Sequence, residues 1–153
     1  MKLRAVPCAV LLAAALCAAS VAARAQSDDG VQESPVVAHR LALQLSDRAP
    51  DKQALVLSVA NEMLKQYGMD KIAIDVVAFG PGIDLLRADS PNRARVDSLA
   101  SAGVRFDICM NTVETVERET GKPVPINPRA HKVAAAVARI LFLTEHGYTL
   151  VRP

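Results

Sequence analysis

The chain has 153 residues, of which 51% are apolar, 3% aromatic and 22% charged, and its formal net charge is +2. This length suits one domain and excludes a multidomain enzyme. Residues 1–25 carry three basic side chains and no acidic one, so residues 26–153 carry 15 basic and 16 acidic side chains. A net charge of −1 for that part of the chain gives no basic surface of the kind that binds nucleic acid.

The N-terminus has the organisation of a signal peptide. Lys2 and Arg4 form a positive start, residues 5–19 are almost uninterruptedly apolar, and Ala23 and Ala25 are the small residues that a signal peptidase recognises. The apolar stretch is shorter than the roughly 20 residues that span a bilayer. We therefore expect a cleaved signal peptide at residues 1–25 rather than a membrane anchor, and a periplasmic protein with no membrane span after cleavage.

Cleavage after Ala25 changes the cysteine content. It removes Cys8 and Cys17 and leaves Cys109 as the single cysteine of residues 26–153. No intramolecular disulfide is then available. In an oxidising compartment, a single thiol is buried and inert, pairs with another molecule, or is retained for its chemistry.

Polar residues at 26–35 predict a flexible leader, and residues 36–153 form the domain. Apolar periodicity and the positions of Gly and Pro define the elements of this domain. In chain order they are a strand at 36–46, a helix at 50–67, strands at 71–79 and 104–110 with a helix between them, a short helix at 112–120, a long helix at 130–146 and a strand at 148–151.

Strands that alternate with helices imply parallel pairing with right-handed crossovers. The predicted fold class is therefore a three-layer α/β/α sandwich with a mainly parallel sheet of about four to five strands. The helix at 130–146 is apolar on almost every side. Because such a helix cannot face water, it is either wedged under the edge of the sheet or buried against another subunit, and we expect a homo-oligomer that buries part of it.

Two segments follow predicted strands, at the edge of the sheet where open α/β proteins bind ligands. In the first, Gly80 and Gly82 allow a ligand or a neighbouring chain to approach the backbone closely, and Asp84 lies just inside the turn. The alternative is a tight strand-to-helix turn in which Asp84 caps the helix. The segment has neither a dinucleotide-binding fingerprint nor a P-loop.

The second segment places Cys109 at the end of a strand and immediately before a helix. The backbone N–H groups and the dipole of a helix start favour a thiolate. Asn111 and Thr112 supply the turn, with Asn111 as a candidate cap, and Arg118 lies nine residues after the cysteine on the same helix. The alternative is a buried cysteine that completes a hydrophobic strand.

No metal or cofactor is expected. The three histidines, His39, His131 and His146, are scattered along the chain, and no second thiol or paired carboxylate has the spacing of a metal site.

The chain resembles the DsrE-like (DsrE/DsrF-like) family of small sulfur-relay proteins, in particular its exported single-domain branch, over about residues 37–153. The similar residues are Phe79-Gly80-Pro81-Gly82-Ile83, Gly103-Val104 leading to Cys109-Met110-Asn111-Thr112, and Gly147-Tyr148-Thr149-Leu150-Val151.

The resemblance implies that Cys109 receives sulfane sulfur as a persulfide and passes it to a partner thiol. It also implies a trimer or hexamer, a sulfur donor or acceptor protein, and a supporting role for Arg118. Such a relay requires a partly exposed thiolate. Whether the protein is a sulfurtransferase or only a carrier is left open, and the alternative function is a non-catalytic module that binds a small ligand or takes part in oligomeric interactions.

Overall fold

The computed structural model describes residues 37–153. Its strands are β1 (His39–Leu45), β2 (Ile72–Ala78), β3 (Arg105–Cys109), β4 (His131–Val133) and β5 (Thr149–Val151). Its helices are α1 (Pro50–Tyr67), α2 (Arg93–Ser101), α3 (Met110–Thr120) and α4 (Ala136–Glu145), and a 3-10 helix spans Gly80–Leu86. The predicted signal peptide and leader lie outside the described residues.

The described residues form one five-stranded sheet in the order β4-β3-β2-β1-β5, and every neighbouring pair is parallel. All residues of β2 and β3 are buried, because these strands are covered on both faces. That burial is why β2 reads as a nearly continuous apolar run rather than as an alternation. In β3 the buried Arg105 and Asp107 alternate with apolar residues.

Helices cover both faces of the sheet. The larger core lies on one face, where α1, α2, the 3-10 helix and Val113 of α3 pack against the strands. The smaller core lies on the other face, where α4 packs on Ala42, Ala73, Val77 and Cys109. The protein is therefore a three-layer α/β/α sandwich, as predicted from the sequence, with a fully parallel sheet.

The prediction of one long helix at 130–146 is wrong in its first part. His131–Val133 form β4, which pairs with β3 at the edge of the sheet, and α4 begins only at Ala136. Three residues are too few to show the alternation of a strand. The apolar residues between Val133 and Ala136 continue the helical pattern, so the break is invisible in the sequence.

The helix α4 has one buried and one exposed apolar side. Ala136, Arg139 and Leu143 are buried against the sheet, whereas Val137 and Leu141 are 68% and 58% exposed. The apolar residues that suggested a helix buried all round are thus divided between the core and the surface of one chain. Among residues 37–153, no helix has the length and apolar character needed to cross a membrane.

Candidate functional site

Cys109 lies beside the place where the chain moves from one face of the sheet to the other, which happens after the neighbouring strand β4. The residue ends β3, and α3 follows it on the face that holds the larger core. The neighbouring strand β4 leads instead into α4, on the opposite face. In parallel α/β sheets, this divergence of adjacent connections opens a crevice at the carboxyl ends of the strands, where ligands bind.

Two helix starts meet at the thiol. Cys109 is the N-cap residue of α3, and its Sγ accepts a hydrogen bond from the backbone N–H of Ala136, the first residue of α4, at 3.4 Å. The N–H of Asn111 donates to the carbonyl oxygen of Ala134 at 3.2 Å. This bond ties the start of α3 to the segment between β4 and α4.

The exposure that direct transfer from another protein requires is not observed, because Cys109 is only 5% exposed. The cover comes from β4 and the first turn of α4. Neither is apparent in the sequence at this place, because the pattern of residues 130–146 predicts one uninterrupted helix.

A crevice of about 840 Å³ lies beside this point, at the carboxyl ends of β1, β2 and β3. It brings together four of the residues predicted from the sequence, namely Gly80, Asp84, Asn111 and Thr112. Cys109 and Arg118 do not line it. The crevice and the thiol are therefore neighbouring features rather than one cavity.

The two glycines of the predicted ligand loop serve the fold. Gly80 has φ +50°, a left-handed conformation, and its N–H donates to Oγ1 of Thr112 at 3.1 Å. A Cβ on Gly82 would overlap the carbonyl oxygen of Leu45. The close approach expected at Gly82 is thus made to the end of β1.

The alternative of a tight strand-to-helix turn is confirmed, because β2 ends at Ala78 and the 3-10 helix begins at Gly80, but the predicted capping by Asp84 is wrong. The 3-10 helix has Phe79 at its N-cap and no side-chain cap, and Asp84 lies in its middle. The Asp84 carboxylate forms an exposed ion pair with Arg48 at 3.6 Å. A second pair, between Arg87 and Asp89 at 2.9 Å, lies at the same crevice, so both arginines there face carboxylates.

Asn111 and Thr112 belong to the first turn of α3, which begins at Met110 rather than at Thr112 as predicted. Asn111 is not the cap, because α3 has no side-chain cap and Cys109 occupies that position. Arg118 points elsewhere and donates to Oγ1 of Thr115 at 3.2 Å. Nine residues of helix place its Cα about 13 Å from that of Cys109.

The sequence reading missed a buried ionic cluster under α4. Asp107 accepts from Arg105 at 2.8 Å and from Arg139 at 2.8 Å. Arg139 also donates to Asp75 at 3.0 Å, and Arg105 lies 3.6 Å from Asp75. All four side chains are at most 7% exposed. A signal was available, since charged residues inside continuous apolar runs need buried partners.

The cluster shifts the ionisation of its members. Burial, followed by repulsion from Asp107, raises the pKa of Asp75 although Arg139 opposes the shift. Burial lowers the pKa of Arg139, but the charges of Asp107 and Asp75 outweigh it and the net change is upward. Burial and the negative charge of Asp75 raise the pKa of Tyr148.

Two oxygens of this region lack a hydrogen-bond partner of good geometry among the described residues. They are Oδ2 of Asp75 and the hydroxyl oxygen of Tyr148, both buried.

The described residues contain no group of three or more His, Cys, Asp or Glu side chains able to hold a metal ion.

The chain matches no family model and no curated protein. It is similar to the solved structure of a protein of unknown function, MTH1491 from Methanobacterium thermoautotrophicum, at 25% identity and a TM-score of 0.67. The match covers 75% of this chain and 99% of MTH1491. The α/β/α fold of this chain is therefore also the fold of MTH1491.

Proposed function

We propose that this protein is a periplasmic DsrE-like sulfur carrier in which Cys109 holds sulfane sulfur as a persulfide. The observation that carries the proposal is the position of Sγ where the connections of β3 and β4 diverge, at the starts of α3 and α4. An N–H group directed at Sγ, as that of Ala136 is, stabilises negative charge on a thiolate or a persulfide.

The transfer is a thiol exchange with no net oxidation. The Cys109 thiolate attacks the outer sulfur of a donor R–S–SH, so that the Sγ–S bond forms while the donor S–S bond breaks. The donor leaves as the thiolate R–S⁻ with the electron pair of the broken bond. In the second half, an acceptor thiolate attacks the outer sulfur of the Cys109 persulfide and restores the Cys109 thiolate.

The burial of the Cys109 thiol favours a small molecule over a protein as the donor of sulfur. An exposure of 5% admits a small molecule to the end of β3 more readily than the thiol of a docked protein. A low-molecular-weight persulfide is therefore the donor that we propose for this conformation. Transfer to or from a partner protein requires the first turn of α4, whose Ala136 N–H bonds to Sγ, to move away from the thiol.

Intact mass after incubation with a small persulfide tests the proposal. The experiment uses the full chain with Cys8→Ser and Cys17→Ser, called the reference chain below, in which Cys109 is the single cysteine. We expect a gain of one sulfur atom that reductant removes, and no gain in Cys109→Ser. A reference chain that stays folded and gains no sulfur would contradict the carrier function.

A second candidate function is the binding of a small ligand in the crevice, with no chemistry. The observation that favours it is that Gly80, Asp84, Asn111 and Thr112 line the 840 Å³ space whereas Cys109 does not. Thr115→Trp, on the crevice wall, separates the two functions. If the crevice binds a ligand, this substitution should block that binding. If Cys109 carries sulfur, sulfur uptake should be unchanged, because Cys109 does not line the crevice.

We also propose that the protein is exported and assembles as a homo-oligomer through α4. The exposed Val137 and Leu141 lie on one side of that helix, since residues four apart share a helical face. Burying them in a second copy would remove the largest exposed apolar side chains of α4 from water.

A further inference from the structure

The first turn of α4 is held over Cys109 by a side chain that does not touch the thiol. We propose that Arg139 is a positioning residue: its ion pairs with Asp107 and Asp75 hold α4 so that the Ala136 N–H points at Sγ of Cys109. The positioning of α4 is independent of the proposed function. Only its expected effect on the reactivity of the Cys109 thiol rests on that function.

The two residues of the Asp107–Arg139 ion pair lie close in sequence to Cys109 and Ala136, the two residues whose contact they hold in place. Asp107 is two residues before Cys109 on β3, so both side chains project from the same face of the sheet. Arg139 is three residues after Ala136, one helical turn away. The bond from Nε of Arg139 to Oδ2 of Asp107, at 2.8 Å, therefore joins α4 to β3 next to the place where the Ala136 N–H contacts Sγ.

Apolar packing alone gives α4 few contacts with the sheet. The helix has ten residues, and its apolar contacts with the smaller core come from the buried Ala136 and Leu143 and the partly buried Ile140. Helices this short are marginal without tertiary contacts. The Arg139 guanidinium reaches Asp107 on β3 and Asp75 on β2 at once. A planar fork that holds two carboxylates fixes the helix along two directions, which a single ion pair does not.

The test compares Arg139→Lys with a matched control, Arg105→Lys, in the reference chain. Both arginines bind Asp107 and lie near Asp75 in the same buried cluster, but Arg105 belongs to β3, so its ion pairs with these two carboxylates join residues of the sheet to one another. Lysine keeps the charge and loses the fork. The readouts are the amide signal of Ala136, the Cβ signal of Cys109 in a chain labelled at cysteine, and the rate of sulfur uptake.

We expect Arg139→Lys to shift both signals and to slow sulfur uptake about tenfold, the size of losing one hydrogen bond to a charged group. Arg105→Lys should leave both signals in place. Equal effects of the two substitutions, or an unchanged Ala136 amide in Arg139→Lys, would overturn the inference. If Arg139→Lys does not fold, Asp107→Asn replaces it, and the Ala136 amide and Cys109 Cβ signals are measured in the same way. We expect both signals to shift, and an unchanged Ala136 amide, or effects equal to those of Arg105→Lys, would again overturn the inference.

The result is separable from that of the proposed function. Both signals report the geometry at the thiol whether or not sulfur is taken up. Shifted signals in a protein that takes up no sulfur would refute the carrier function and leave the positioning role. Sulfur uptake with signals that do not respond to Arg139→Lys would refute the positioning role alone.

Discussion

Gly82 and Leu45 are in such close contact that a Cβ at position 82 would overlap the carbonyl oxygen of Leu45 and lie 2.8 Å from its carbonyl carbon. The 3-10 helix therefore crosses the end of β1 at a distance that only glycine permits. This crossing fixes the wall of the crevice that carries Gly80 and Asp84.

Gly82→Ala should lower the free energy of unfolding by about 3 kcal/mol, because backbone on both sides must move to relieve the overlap. Gly121→Ala is the control. Gly121 has φ +65° but open space around a built Cβ, so it should lose only about 1 kcal/mol through conformational strain. Urea unfolding of the two variants measures both losses, and an equal or smaller loss for Gly82→Ala would contradict the contact.

The stability of the chain should depend on pH through Asp75. Its pKa is raised above 3.8 in the folded chain, so the folded state binds this proton more tightly than the unfolded state. The contribution of Asp75 to the free energy of unfolding is therefore fully present below pH 3.8 and is lost as the pH rises through the raised pKa.

Asp75→Asn removes this contribution with little change in size. The stability of the parent relative to Asp75→Asn should fall as the pH increases through that window, as measured by urea unfolding at a series of pH values. Asp70→Asn, at an exposed position, controls for the loss of a surface carboxylate. A parent-to-variant difference that is constant or rises with pH would show that Asp75 has no raised pKa.

The oligomer proposal leads to opposite expectations for two positions on α4. Leu141 is exposed, so Leu141→Glu should leave the chain folded and dissociate the oligomer. Ala136 is 3% exposed inside the core, so Ala136→Glu should unfold the chain by burying an unpaired carboxylate, at a cost of several kcal/mol. Light scattering and circular dichroism distinguish these outcomes, and a monomeric reference chain would refute the interface.

Arg118 should have no part in sulfur uptake, although the sequence resemblance implied one. Its side chain bonds to Thr115, and its Cα lies about 13 Å from that of Cys109 along α3. Arg118→Gln should therefore change the rate of uptake by less than about twofold, since an exposed charge at that distance is well screened. A tenfold loss would show that Arg118 reaches the thiol in a conformation other than the one described here.

The layers of the fold were predictable because β2 is a nearly continuous apolar strand and Pro50–Tyr67 has clear helical spacing and boundaries. The edge strand β4 was not, because three residues carry no period. Missing β4 also hid the burial of Cys109, since the segment that covers the thiol follows that strand.

The crevice residues were predictable as a group because the carboxyl ends of parallel strands meet at one edge of the sheet. The separation of Cys109 from the crevice was not predictable, because a shift of one residue in strand register moves a side chain to the opposite face of the sheet, and the sequence does not specify that register here. The partners of Asp75, Asp107 and Arg139 come from three elements far apart in the chain. Their pairing depends on the strand order and on the placement of α4, neither of which the sequence pattern specifies.

The carrier function is tested at its centre by the reaction of Cys109 with iodoacetamide in the folded reference chain. We expect labelling at neutral pH without denaturant, at a rate faster than global unfolding, because a folded carrier must offer its thiol to a small reagent. Labelling that occurs only in denaturant, or at the rate of global unfolding, would show that Cys109 is an inert core residue and would contradict the carrier function.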